Sequence, residues 1–481
     1  MPVFMKFKGI ILFLCVFFAC RKESFYSDSS ARLNFSSDTV LFDTVFTNML
    51  TANKILMVYN PYPKAVKISS IRLCGGSTSF YKINVNGISG YEFKEIEIFP
   101  RDSLYIFVAA KLDEVGQDKP LIVKDSLLFT LNGNIQKVLL ISYGQDVYVF
   151  KNNVLATQEW TAGKPYLIFG TVTVDSGQTL TMQAGTRVYM YNNANLCVKG
   201  SLVIHGTSSQ RVLIQHTRLE PFYYNKAGQW GKIILKGSGG PYFIENTDIY
   251  SPVTGIEIGD TGSTTRPSLV LRNVQMVNAK LALLKSFGAH VTAINCVFAN
   301  GGEGCVLLYM GGKYEFYHCT IVNYGVIGVN LSAYRLPALY YNDEYSSSAK
   351  GILDSLTVVN SIVYDGGVTW MDISTVSTNY YFKNCILKAD WNKFNLSDPA
   401  HFDSVYYLLK DPSRLLVRPV ITGTDYEKYK YDFMPDSLSD ARKKASLPYA
   451  FRYPLDMHEK SRLDSLTPDI GALQWQPSKK K

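Results

Sequence analysis

Six segments of this chain repeat one pattern at a near-constant interval, and nothing else constrains its fold as strongly. They read PYFIENTDIYS, SLVLRNVQMVN, HVTAINCVFAN, KYEFYHCTIVN, SLTVVNSIVYD and NYYFKNCILKA. Aligned on one polar position, they place Asn246, Asn273, Asn295, His318, Asn360 and Asn384 in a column, at steps of 27, 22, 23, 42 and 24. A period of about 20–50 residues marks stacked repeats, in which no single unit buries its own apolar face.

The columns beside that position carry the physics. Four residues before it stand Tyr242, Leu269, Val291, Tyr314, Leu356 and Tyr380; two before it stand Ile244, Leu271, Ala293, Phe316, Val358 and Phe382. These are alternate residues on one face of a strand. After it the parity flips, and the inward residues become the first and third: Thr247, Val274, Cys296, Cys319, Ser361 and Cys385, then Ile249, Met276, Phe298, Ile321, Val363 and Leu387. A flip of parity needs a tight bend at the aligned residue itself. Asparagine tolerates the left-handed backbone of such a bend, and stacked asparagines form hydrogen-bonded ladders.

A third strand precedes each row, read at KIIL (from Lys232), GIEI (Gly255), KLAL (Lys280), GCVL (Gly304), GVIG (Gly325) and GVTW (Gly367). Three strands per coil of about 23 residues predict a parallel β-helix over 160–395. The recurring cysteine occupies a slot that Thr, Val and Ser also fill. It reads as small-residue packing rather than as a metal ligand or nucleophile.

Residues 33–150 contain TVLFDTVF, ILMVYN, VKISSIRL, YEFKEIEIF, SLYIFVAA, SLLFTL and QKVLLISY, separated by turn residues at sandwich spacing. They predict an immunoglobulin-like β-sandwich, with Leu112–Lys124 as a loop. The fold class is therefore all-β, a sandwich followed by a parallel β-helix, with 396–481 as a capping segment and tail.

The first twenty residues are read as a leader. Lys6 and Lys8 precede the apolar run GIILFLCVFFA, which is too short to span a bilayer stably and ends at Ala19-Cys20. This resembles a bacterial lipoprotein signal with Cys20 as the lipid attachment residue, although Phe17 stands where Leu is usual. Lys22-Glu23 resembles the short charged tag of surface-exported Bacteroidota lipoproteins. Residues 21–32 form a tether. The net charge of +9 is not gathered into a basic stripe with interleaved aromatics, which argues against nucleic acid. Eight cysteines in 481 residues are too few for a disulfide scaffold.

GQTLTMQAGTRVYMYNNANLCVKGSLVIHGT (177–207), GQWGKIIL (228–235), GGKYEFYHCTIVNY (311–324) and PDIGALQW (468–475) together resemble the right-handed β-helix lipoproteins of Bacteroidota, in the pectate-lyase-like superfamily. The resemblance covers most of 160–475. It implies a right-handed coil and an outer-membrane, lipid-anchored location, with exposure at the cell surface as one option. It implies no settled activity.

Polysaccharide-cleaving relatives in that superfamily work on the outer face of one sheet, where clustered carboxylates and a cationic base are needed. Carrying the GIEI register across gives two outward columns: Ile234, Glu257, Ala282, Val306, Ile327 and Thr369, then Lys236, Gly259, Leu284, Leu308, Val329 and Met371. Only Glu257 and Lys236 ionise, so no catalytic residue is assigned. The long step leaves an insertion at 335–354. Tyr334, Arg335, Tyr340, Tyr341 and Tyr345 are the candidate ligand-binding residues there, since aromatic faces stack on sugars. Asp343, Glu344, Asp248 and Arg266 are scattered charges. His205, His216 and His401 lack metal-ligand spacing, and no metal or other cofactor is assigned. The expected function is a lipid-anchored, non-catalytic scaffold or glycan- or protein-binding module, with the membrane as one partner and polysaccharide or another envelope protein as the other. The alternative is a lyase or glycoside hydrolase with a loop-built site. Cys20→Ser should abolish lipidation and leave the protein unprocessed or released from the membrane fraction; normal lipidation by mass spectrometry in that variant would refute the anchor.

Overall fold

The structure is a computed structural model that describes residues 24–114, 116, 121–325, 335–366, 371–374, 378–388, 393–407, 409, 411–419, 431–464 and 466–477. Cys20, the leader and Tyr334 lie outside the described residues. The chain divides into two compact units, 1–146 and 147–481. Among the described residues no helix is long and apolar enough to cross a membrane.

The first unit is a sandwich of two five-stranded sheets. One runs Asn34–Phe35, Lys54–Tyr59, Ser103–Ala110, Tyr81–Val85, Ile88–Gly90, and the other Thr39–Phe46, Asn134–Gln145, Leu121–Leu131, Val66–Leu73, Glu92–Ile98. Neighbours are antiparallel, except that Asn134–Gln145 runs parallel to Thr39–Phe46. Alternate residues such as Val58, Ile68, Ile106, Phe129 and Leu140 fill the space between the sheets. Two differences from the sequence expectation have local causes. The loop expected over Leu112–Lys124 ends early, because alternating residues already extend the strand back to Leu121. The hairpin Tyr81–Val85/Ile88–Gly90 is additional to the expected strands, and Asn86-Gly87 marks it: both have positive φ (51° and 84°), as a tight hairpin turn requires.

The second unit is a parallel β-helix whose first, second and third sheets hold nine, ten and ten strands among the described residues. One coil shows the order: Ile256–Gly259 in the first sheet, Ser268–Arg272 in the second, Gln275–Ala279 in the third. The ladder begins at Tyr148–Lys151, ahead of the expected start at 160, because the opening coil has short strands without the repeat's asparagine. It continues past 395, where Phe402–Asp403 pairs with the second sheet.

The polar column turns six successive coils from the second sheet to the third. Asn246, Asn273, Asn295, His318, Asn360 and Asn384 all have φ between 46° and 54°. Asn273 Nδ2 donates to Asn246 Oδ1 and Asn295 Nδ2 to Asn273 Oδ1, each at 3.1 Å. Asn360 Nδ2 lies 3.1 Å from His318 Nε2. Burial holds His318 well below the usual imidazole range, so it sits neutral in the row.

The residue after the bend faces the core throughout, and all six are fully buried. Its chemistry is more specific than size. Thr247 Oγ1 and Ser361 Oγ donate to the carbonyls of Glu245 and Val359 (2.9 and 2.8 Å), and the thiols of Cys296 and Cys385 donate to Ile294 and Lys383 (3.3 Å each). The slot takes a small side chain with a proton for the carbonyl two residues back; Val274 shows that the proton is dispensable. All six described cysteines are free thiols, and burial pushes Cys385 up to about 12.

A second polar row accompanies the first. Five residues after it stand Ser251, Asn278, Asn300, Asn323 and Asp365, all buried. Ser251, Asn278 and Asn300 have φ of 61°, 64° and 66° and turn the chain out of the third sheet. Asn323 Nδ2 donates to Gly301 O at 2.8 Å, and Arg335 Nη2 to Asp365 Oδ1 at 2.6 Å.

The C-terminal segment does more than cap. Leu415, Phe433, Ala441, Met457, Ile470 and Ala472 pack on the outward residues Val277, Val297, Val322 and Ile362 of the third sheet. PDIGA is the clasp. Gly471 (φ 107°) donates to Asn360 O, and a Cβ there would lie 2.9 Å from both Ile362 and Thr320. Arg462 is fully buried, and its Nη2 donates to Asn295 Oδ1 and to the Gly471 and Ala472 carbonyls, each at 3.0 Å. Burial draws its guanidinium down to about 10, against the pull of Asp456 and Asp469. Asn295→Ala should therefore cost about 3–5 kcal/mol in urea unfolding, since it strands Arg462 and puts Ala at positive φ. Asn384→Ala, which also puts Ala at positive φ but loses a single side-chain bond among the described residues, to Lys444 O, should cost about 2–3 kcal/mol. Equal losses would contradict the ladder.

Candidate functional site

The outer face of the first sheet gathers several aromatic rings beside a lysine, and its register differs from the one the sequence predicts. Ile234 faces Glu257, Glu257 faces Lys285, Lys285 faces Leu307, Leu307 faces Tyr340 and Tyr340 faces Asp372. The next outward column is Gly259, Phe287, Tyr309 and Asn342. Leu284, Val306, Leu308 and Met371 are thus not on this outer face and point into the core; Ala282, just before the strand, packs with the outward Phe287, Leu307 and Tyr309. Ile327, Val329 and Thr369 lie outside the described residues. The physical cause is twofold. KLAL lies just before the strand, which is Leu284–Phe287, and the apolar run LALL hides its start. The rung expected at GVIG is instead formed by Leu339–Asn342, so the insertion contains a complete first-sheet strand rather than a bulge.

The five candidate residues of the insertion separate accordingly. Tyr341 points inward and is fully buried, its hydroxyl bonded to Gly311 N and Asp343 Oδ1 (3.0 and 2.7 Å), which removes it from any binding surface. Arg335 is held by buried Asp365 and by Asn323 O, a structural role. Tyr340 is half-buried and points outward. Tyr345 sits on the hairpin Glu344–Ser346/Ala349–Lys350 and is 45% exposed. The structure brings Tyr340 and Tyr345 together with two residues absent from the sequence candidates, Phe287 and Tyr309. The signal that finds them is the correct register, which sets them two coils and one coil below Asn342.

These rings form one cluster. Phe287 and Tyr309 stack at 5.9 Å, and Tyr345 stands edge-on to both at 4.8 and 5.1 Å. Tyr340 meets Tyr309 at 5.8 Å. The Lys285 ammonium lies 5.6, 5.8 and 5.0 Å from the ring centres of Phe287, Tyr309 and Tyr345. Burial raises the Tyr309 phenol above its ordinary range, so it stays protonated at any physiological pH. The result is an aromatic cluster in which Phe287 and Tyr309 are buried (8% exposed each), so that Tyr345, half-buried Tyr340 and the Lys285 ammonium are the part of it open to the face of a sugar ring.

Several carboxylates of this face are engaged by cations, while Asp343 accepts from the Tyr341 hydroxyl and Glu303 lies near Tyr309. Glu257 pairs with Lys232 at 2.7 Å, Asp260 with Lys236 at 3.3 Å and Glu344 with Lys350 at 2.5 Å. Asp372 pairs with Lys393, and Asp354 with Arg266. Asp248 is held by Arg211 on the third sheet. The histidines are dispersed: His205 lies against Phe243, His401 stacks on Tyr380, and burial pushes His216 down to about 4. Among the described residues no group of three His, Cys, Asp or Glu side chains is placed to hold a metal ion.

The family model described as a right handed beta helix region matches residues 231–395. With the parallel ladder, this makes the second unit a right-handed parallel β-helix. No curated protein matches the chain. Among solved structures, a family 123 glycoside hydrolase from Clostridium perfringens shares 10% identity over 27% of this chain and 30% of that one, at a TM-score of 0.19. The chain thus spans less than a third of that relative's length. The catalytic domain of a GH87 alpha-1,3-glucanase in complex with nigerose shares 9% identity over 74% of this chain and 77% of that one, at a TM-score of 0.15.

Tyr341→Ala should lower stability by about 3–5 kcal/mol in urea unfolding, as truncation of a core aromatic does. Tyr345→Ala should cost under about 1 kcal/mol. The reverse order would contradict an inward Tyr341 and an outward Tyr345.

Proposed function

We propose that this protein is a lipid-anchored envelope protein of the Bacteroidota β-helix kind, attached through Cys20 at the outer membrane, whose β-helix is a non-catalytic scaffold that binds polysaccharide. The anchor reading rests on the short apolar run ending at Ala19-Cys20 and on the Lys22-Glu23 tag. The binding reading rests on one observation: exposed Tyr345 and half-buried Tyr340, with the Lys285 ammonium beside Tyr345, form a platform held in place by the buried rings of Phe287 and Tyr309. Glycoside hydrolysis needs two carboxyl groups roughly 5–10 Å apart, one of them free to hold a proton. Around this platform Glu257, Asp260, Glu344 and Asp372 are each neutralised by a lysine, which favours binding over cleavage.

One observation favours the enzymatic alternative. Glu257 and Lys285 occupy adjacent rungs of one outward column, so a base and a cation are within a coil of each other, as β-elimination requires. Gel retardation in soluble polysaccharides, with parallel assays for reducing ends and for unsaturated products, separates the two. Binding weakened about tenfold by Tyr345→Ala and Lys285→Ala, with no product, is the expected result. Product formation that disappears in Glu257→Gln would replace the scaffold with a lyase, and retardation unchanged in both platform variants would remove the binding site.

A further inference from the structure

The sandwich carries an open groove on the outer face of its sheet containing Ser103–Ala110. The register sets Phe107 between Asn84 and Ile55, and Ala109 beside Lys82. The chain from Asn48 to Asn53 passes alongside, tied down by Asn48 N to Leu112 O (2.8 Å), Thr51 N to Ala110 O (2.9 Å) and the Leu50–Lys111 bridge. Because Ala109 is small, a hollow of about 830 Å³ remains between this segment and the sheet. Its walls are Asn48, Leu50, Asn53, Lys82, Phe107 and Lys111. Phe107 and Leu50 are 37% and 58% exposed. Asn84, whose Nδ2 donates to Ser89 Oγ at 3.2 Å, closes one end.

Three properties of this lining point to one class of ligand. Phe107 offers a flat apolar face, which stacks on the C–H side of a pyranose. Three carboxamides, Asn48, Asn53 and Asn84, each carry a donor and an acceptor, matching vicinal hydroxyls. Lys82 and Lys111 are cations, the lining contains no carboxylate, and neither lysine is in an ion pair among the described residues. Lys82 rests instead on Tyr91, 3.4 Å from its hydroxyl. Two uncompensated ammoniums beside an aromatic face and amides favour a sugar bearing anionic groups over a neutral one.

We propose that this groove binds an anionic oligosaccharide, one bearing carboxylate or sulfate groups. The site is built from residues separate from Lys285 and Tyr345, so its failure and theirs are distinguishable. The test is isothermal titration of the full-length protein with a galacturonate hexamer, a sulfated heparin-derived hexasaccharide, maltohexaose and polyglutamate. At least one acidic sugar should bind, with affinity that falls as salt rises. Lys82→Gln/Lys111→Gln should weaken that binding about tenfold or more and flatten its salt dependence, Phe107→Ala should weaken it similarly with unchanged circular dichroism, and Lys285→Ala should leave it intact. The two acidic arms decide between carboxylate and sulfate. No binding of either, equal binding of maltohexaose, equal binding of polyglutamate, or indifference to the double lysine variant would each overturn the proposal.

Discussion

The β-helix depends on a residue held at positive φ at the same point of six successive coils, from Asn246 to Asn384. At that corner the backbone leaves the second sheet and enters the third with its parity reversed. The side chains on both sides of the bend therefore point into one core. An ordinary residue resists this conformation at a cost of about 1–2 kcal/mol. Asparagine resists it less, and its carboxamide gains a partner on the neighbouring coil. The corner thus converts a local backbone cost into a contact between coils, which fixes the stacking register. The second polar row, five residues on, repeats the device at the exit of the third sheet.

The same corner explains the position of the C-terminal segment. A row of buried carboxamides needs partners on its open side, and the segment around Leu455, Ser446 and Lys444 supplies backbone carbonyls to Asn295, Asn360 and Asn384. Arg462 is the residue most vulnerable to failure of these contacts. A buried guanidinium is costly unless its donors are met; Asn295 and the carbonyls of the PDIGA turn meet both Nη groups, while Nε is buried without a hydrogen-bond partner among the described residues. The clasp and the corner are therefore one structure. Its consequence is asymmetry: the third sheet's apolar outer face is covered by its own chain, whereas the first sheet keeps an aromatic face with Tyr345 open to solvent.

That asymmetry assigns roles. The covered face serves stability. The first sheet's face holds one cation, lysine-paired carboxylates and rings of which only Tyr345 is well exposed. The sandwich groove has the opposite electrostatic character, two ammoniums and no carboxylate in its lining.

The interval between asparagines, the parity flip beside them and the small inward column are legible in the residues alone, because each follows from backbone geometry that repeats every coil. The second row is equally legible in Ser251, Asn278, Asn300, Asn323 and Asp365, but only when the alternation is followed beyond the third residue after the bend. Which residues of the first sheet face outward is not legible in this way. Around Leu281–Leu284 and in the insertion, apolar residues run without alternation, so a strand can be placed two ways with equal local merit. Only hydrogen bonding to the coils above and below chooses between them, and that choice puts Phe287, Tyr309, Tyr340 and Lys285 on one surface. The sequence by itself determined the coil, since its period is set by local conformation. The tertiary structure decided the face, since register is a property of neighbouring strands rather than of any one of them.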